Sequence, residues 1–173
     1  NTVRAMGRTA TGVRGMKLDE DDATDEVIGM ICVNDPERET VLVVSEKGKG
    51  KRSIVDDYRV TNRGGKGVKT LNITEDTGNV VAIKAVTEEQ DLMIINKSGI
   101  TIRLRISDVN VQGRATQGTR LIDLKKRNDV ISSVCLVPAE EEEEEVPEAN
   151  TAEAPETIIE ENTTEPNVPE QGE

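Results

Sequence analysis

Apolar and polar residues alternate without a break from Ile100 to Ile106: Ile100, Ile102, Leu104 and Ile106 fall to one side, Thr101, Arg103 and Arg105 to the other. A period of two predicts a half-buried β-strand. Three more short apolar runs precede it, Val68–Ile73, Val80–Val86 and Asp91–Asn96, rich in β-branched residues and parted by Gly, Asn, Asp and Ser. Lys97-Ser98-Gly99 predicts a tight hairpin between the third and fourth.

The pattern recurs. Gly12, Gly67 and Gly118 close three similar basic turns and lie 55 and 51 residues apart. The runs beginning at Val27, Val80 and Val130 are 53 and 50 residues apart, and the turns ending at Gly48 and Gly99 are 51 apart. Shared spacing at separate landmarks means a repeat of about fifty residues, and four antiparallel strands per such period is a propeller-type blade pattern. The chain holds about two and a half of these units. It is expected to be all-β: a partial, propeller-like domain over 1–137, read as a piece of a longer protein because it opens at Asn1 inside a motif. No stretch approaches a membrane-spanning length. Met16, Leu71 and Ile122, then Leu18, Ile73 and Leu124, occupy matching positions after the three glycines, and their common parity predicts core-facing side chains.

Charge sharpens this picture. Arg8, Arg63 and Arg114 stand four residues before the aligned glycines, and Arg14, Lys69 and Arg120 two residues after them. The middle turn adds Gly64, Gly65 and Lys66 before Gly67. Each unit therefore offers two basic groups around a glycine turn that a partner can approach closely. Rim charges of this kind are usually solvated and no more. The same sign at all three repeats, beside an open backbone, favours binding of an extended polyanion. Lys47, Lys49, Lys51, Arg52, Arg103 and Arg105 cluster nearby, and some of them are ordinary solubility charges.

Composition excludes several chemistries. The chain lacks His, Trp and Phe, Tyr58 is the single aromatic residue, and two cysteines cannot complete a structural zinc site. Cys32 and Cys135 hold equivalent places in their units and read as small core residues. Asp56 and Asp57 precede Tyr58, but no wider cluster of acids, His or metal ligands accompanies it, and it reads as packing beside the Asn62–Gly67 turn. Base stacking on aromatic rings is not available, so a nucleic-acid partner is expected to be a duplex held by its phosphates. Gly65-Lys66-Gly67 lacks the Ser or Thr and the helix that a nucleotide-binding P-loop needs.

The net charge of −12 averages two regions. Residues 138–173 carry 14 Glu, no Lys or Arg and five of the six prolines; the other 20 acids (34 − 14) and all 22 bases lie in 1–137, for a net of +2. Residues 138–173 are expected to be a disordered acidic tail. Two readings of it stand: a solubilising segment, or a tethered polyanion competing for the basic rim.

Asn62-Arg63-Gly64-Gly65-Lys66-Gly67 resembles the Gln-Arg-Arg-Gly-Gly-Lys-Gly box in the C-terminal domain of the DNA gyrase A subunit, departing where Asn62 precedes a single Arg63. The stretch from Arg4 to Gly15 is similar to later blades of that domain, and Gly113–Gly118, followed by an acidic tail, to its final one. The resemblance covers nearly all of 1–137. It implies a β-pinwheel, whose blades exchange strands, that binds, bends and wraps double-stranded DNA in support of ATP-dependent negative supercoiling. It implies no catalytic residue, metal or cofactor site here, ATP and Mg2+ being used elsewhere in the parent topoisomerase. The implied partners are DNA, the rest of the gyrase A subunit and the gyrase B subunit in a heterotetramer of two A and two B subunits, in the bacterial cytoplasm with the nucleoid and without a membrane. The alternatives are the related domain of the topoisomerase IV A subunit, or a propeller-like scaffold that binds an acidic protein.

Overall fold

Residues 3–124 and 128–139 are described in a computed structural model of the chain. Its first strand, β1 (Thr40–Ser45), does not alternate: Val41, Leu42, Val43 and Val44 are apolar in succession and all buried. Continuous apolar character belongs to a strand covered on both faces. Leu42 and Val44 enter one core with Val86, Leu92, Ile94, Ile106, Val109, Leu124 and Ile131, while Val41 and Val43 enter a second with Leu71, bordered by Tyr58, Val55 and Ile83. Fully burying a side chain such as Leu42 contributes about 1.5–3 kcal/mol.

Two hairpins organise the fold. β1 pairs antiparallel with β2 (Lys49–Ile54), and after β3 (Val80–Val86) the chain builds β4 (Gln90–Asn96) and β5 (Thr101–Arg105) in the same way. Both hairpins turn on a left-handed glycine, Gly48 at φ +83° and Gly99 at φ +86°, whose N–H donates to Ser45 O and Asn96 O respectively, at 3.1 Å in each case. Each turn is also closed by a buried polar side chain four residues back: Ser45 Oγ bonds Lys49, and Asn96 Oδ1 accepts from Ile100 N–H.

The remaining strands cross from one repeat to another. β3 belongs by sequence to the second repeat, yet it pairs with β1 of the first, Thr40 opposite Val86 and Val43 opposite Ile83. β7 (Ile131–Pro138), from the third repeat, pairs with β4 of the second in the same way. β6 (Thr119–Arg120), also from the third, pairs with β2. The sheets are ordered β3-β1-β2-β6 and β5-β4-β7, all antiparallel. The propeller-like, strand-exchanging architecture expected from the sequence is thus present.

Several local expectations change. Val68–Ile73 forms no ladder, and neither does Val27–Val33, the run that matches β3 and β7 by spacing. β3 and β7 each add to a hairpin that precedes them, and among the described residues no hairpin precedes Val27. Without a ladder, parity is not enforced: Leu71 and Leu124 are buried, Leu18 and Ile122 half-buried, but Met16 and Ile73 are exposed. Cys32 and Cys135 are both exposed free thiols rather than core residues. The alternation in β5 holds, with Thr101, Arg103 and Arg105 outward and Ile106 fully buried just beyond it. Of the expected tail, 138–173, only Pro138 and Ala139 lie among the described residues. No helix described is long and apolar enough to cross a membrane.

Candidate nucleic-acid interface

Glycine recurs at three matching places in the sequence, and the backbone treats the three alike. Gly12, Gly67 and Gly118 have φ of +81°, +79° and +76°. That left-handed conformation is one that residues with a Cβ adopt only at a cost. One glycine in this conformation ends each basic loop, and at Gly118 it leads directly into β6.

Consecutive turns are joined to one another by a repeated contact. Lys17 N–H, five residues past Gly12, donates to Gly65 O, two residues before Gly67, at 3.0 Å. Asn72 N–H, five past Gly67, donates to Thr116 O, two before Gly118, also at 3.0 Å. Gly64 N–H adds a bond to Gly15 O at 2.8 Å, and the Arg114 guanidinium donates to Lys69 O at 2.7 Å. The turns therefore form a linked row.

Along that row Arg8, Arg14, Arg63, Lys66, Lys69 and Arg120 are exposed, and Arg114 is half-buried by its contact with Lys69. Lys69 Nζ donates to Asn72 Oδ1 at 2.8 Å. Gly64 and Gly65 bring backbone to the surface beside Arg63. Two features escaped sequence reasoning. Lys17 lines a depression together with Lys66; it recurs at neither matching position, Asn72 or Asp123, so repetition could not reveal it. The same depression is lined by Asp19, Glu20, Asp21 and Asp25, so an acidic loop faces the middle turn. Tyr58 packs against the core of Val41, Val43 and Leu71, and its hydroxyl meets Thr70 Oγ1 at 2.5 Å.

Four of the basic residues grouped with the rim differ in setting. Lys51 is fully buried and Arg52 is 3% exposed, so neither is available to a ligand. β6 flanks β2 only at Lys49 and Gly50; beyond them the segment 109–114 runs beside the strand, and its carbonyls receive both side chains. Lys51 Nζ donates to Gly113 O and Arg114 O; Arg52 Nε donates to Val109 O at 2.8 Å and its Nη1 to Glu88 at 3.1 Å. Burial pushes the Lys51 ammonium below the usual lysine range, with Asp57 opposing the shift and Arg114 adding to it. Arg103, in β5, is committed to Asp91 at 2.7 Å and to Pro138 O at 2.8 Å. Arg105 is exposed at the end of the same strand, opposite Asp91 of β4. A signal for Lys51 was present: it lies 51 residues before Ile102, on the core-facing side of its strand.

A family model described as "DNA gyrase C-terminal domain, beta-propeller" matches residues 1–34, 39–87 and 90–136. The chain belongs to this family. The DNA gyrase A subunit of Staphylococcus aureus (strain MRSA252) is 48% identical over 151 residues, 87% of this chain and 17% of that protein. Its counterpart from strain NCTC 8325 / PS 47 is 49% identical over 144 residues, 83% of this chain and 16% of that protein. This gyrase-type domain therefore spans about a sixth of the relatives it matches. A solved DNA gyrase A C-terminal domain superposes with a TM-score of 0.67 at 31% identity, covering 76% of this chain and 43% of that one. The C-terminal domain of a DNA topoisomerase IV reaches 0.70 at 20% identity over 79% and 41%, a likeness of fold.

Proposed function

We propose that this chain binds, bends and wraps duplex DNA along its linked basic turns, as a non-catalytic C-terminal part of the DNA gyrase A subunit. The repeated hydrogen bond from five residues past one aligned glycine to two residues before the next carries the reading. It places equivalent pairs of cations, Arg8 and Arg14, Arg63 and Lys69, Arg114 and Arg120, at successive stations of one row. Phosphates recur along a duplex, and cations at repeated stations neutralise them without reading bases. In the whole enzyme the wrapped segment supports ATP-dependent negative supercoiling, with ATP and Mg2+ bound elsewhere. The partners are the remainder of the gyrase A subunit and the gyrase B subunit, in the bacterial cytoplasm beside the nucleoid.

Six contacts predict a slope of log K against log salt near −5 for mixed-sequence duplex. Relaxed circles religated on the protein should also shift in linking number. Unchanged topoisomers with retained binding would remove wrapping from the proposal, and no duplex binding at low salt would favour a protein-binding scaffold.

A further inference from the structure

We propose that Lys51 is a positioning residue, which fixes the third basic turn from inside and so sets what Arg114 does at the rim. This rests on the DNA-binding reading only for its functional consequence. A fully buried ammonium is costly unless its protons are taken up by acceptors. Lys51 Nζ finds two in one turn, Gly113 O at 2.6 Å and Arg114 O. The neighbouring residues of β2 continue the attachment. Arg52 N–H donates to Asn110 O, Arg52 O accepts from Gln112 N–H, and Ser53 Oγ donates to Gln112 O at 2.8 Å. Three successive strand residues thus hold successive pieces of 109–114.

Arg114 is the residue this controls. Its carbonyl is held by Lys51 and its guanidinium by Lys69 O, so its side chain leaves the turn from a backbone secured at one end and a neighbour secured at the other. The second hairpin has Ile102 where the first has Lys51, and its strand, β5, is the edge of its sheet. The lysine therefore belongs to the strand that carries a turn. A lysine serving only the core would contribute stability and leave the action of Arg114 unchanged.

The test is a mutant cycle in the full chain, with Lys51→Met, Lys51→Arg, Arg114→Ala and Lys51→Met/Arg114→Ala. Duplex binding is read by anisotropy across a salt series and the turn by hydrogen exchange at amides 113–116. Lys51→Met should speed exchange there and reduce the salt slope by about one unit, the share of one phosphate contact. Lys51→Arg should restore both, and Lys51→Met should add no further loss in the Arg114→Ala background. Wild-type exchange and slope in Lys51→Met, or additive losses in the double variant, would overturn the assignment. If Lys51→Met does not fold, Lys51→Gln, which keeps two donors without the charge, is read against the same outcomes. Should the wild-type chain bind no duplex, the DNA reading fails, and the exchange data alone decide whether Lys51 fixes the turn.

Discussion

Substituting alanine at each of the three aligned glycines should give three different costs, because the glycines share a conformation and differ in surroundings. At Gly118 a Cβ would stand 2.8 Å from Gly50 O and 3.0 Å from Gly50 C. That backbone cannot retreat. Gly50 is paired with Val44 on one side and Thr119 on the other, and its own hydrogen already faces Val43 O and Leu121 Cδ1. The left-handed conformation adds about 1–2 kcal/mol for a residue with a Cβ and the overpacking about 1–3, so Gly118→Ala should cost roughly 2–5 kcal/mol. At Gly67 the nearest neighbour is Met16 Cε at 3.1 Å, the mobile end of an exposed side chain, which leaves the conformational cost of about 1–2 kcal/mol. At Gly12 nothing lies within 4 Å, and the segment around it is exposed, so global unfolding should register at most about 1 kcal/mol. Urea unfolding followed by far-ultraviolet circular dichroism ranks the three through their midpoints. A Gly118→Ala change within about 0.5 kcal/mol of wild type, or a Gly12→Ala change as large as that at Gly118, would refute the reasoning.

Replacing Arg8, Arg63 and Arg114 together with alanine should weaken binding to all duplex sequences alike and flatten the salt slope by about three units; a loss confined to particular sequences would contradict phosphate contact. Lys51 makes a signed prediction about pH. Its ammonium is disfavoured in the folded state relative to the unfolded chain, so the unfolded state binds more protons as pH approaches the lysine range from below. Lys51 should therefore add stability as pH rises through that window, and the difference between wild type and Lys51→Met should change accordingly; a difference constant with pH would contradict the assigned cause. Tyr58→Phe should cost about 0.5–1.5 kcal/mol through the lost contact with Thr70. Because the chain has no Trp, Thr70→Val can be followed by the fluorescence of Tyr58 itself, and an unchanged stability in either variant would count against that bond.

The repeat was legible because its landmarks are local. A glycine with positive φ or a hairpin closed over a few residues leaves its mark in the adjacent sequence, and Gly12, Gly67, Gly118, Gly48 and Gly99 all carry it. β3, β4 and β5 were legible for the same reason. Which hairpin a strand joins is a long-range matter: nothing between Val80 and Val86 states that its partner is Thr40–Ser45 rather than Gln90–Asn96. The basic residues divide along the same line. Arg14 and Arg63 are exposed because their turns project, whereas Lys51 and Arg52 lie in a stretch, Lys49-Gly50-Lys51-Arg52-Ser53, whose polarity reads as surface. They are enclosed only once the distant segment 109–114 lies along β2. The exposed cysteines have a similar cause, since a small apolar residue in a strand is buried only where another element covers it.

The exchange of strands between repeats also sets a timetable for synthesis. The hairpin of β1 and β2 is complete when Ile54 has left the ribosome, but the strand that closes its edge ends at Val86. Those 32 residues (86 − 54) take about 2–6 s to make at ordinary translation rates. Throughout that interval Val41-Leu42-Val43-Val44, buried on both faces in the finished fold, lies along an open edge capable of pairing with any passing chain. Each nascent hairpin therefore waits, unfinished and adhesive, for a strand not yet translated.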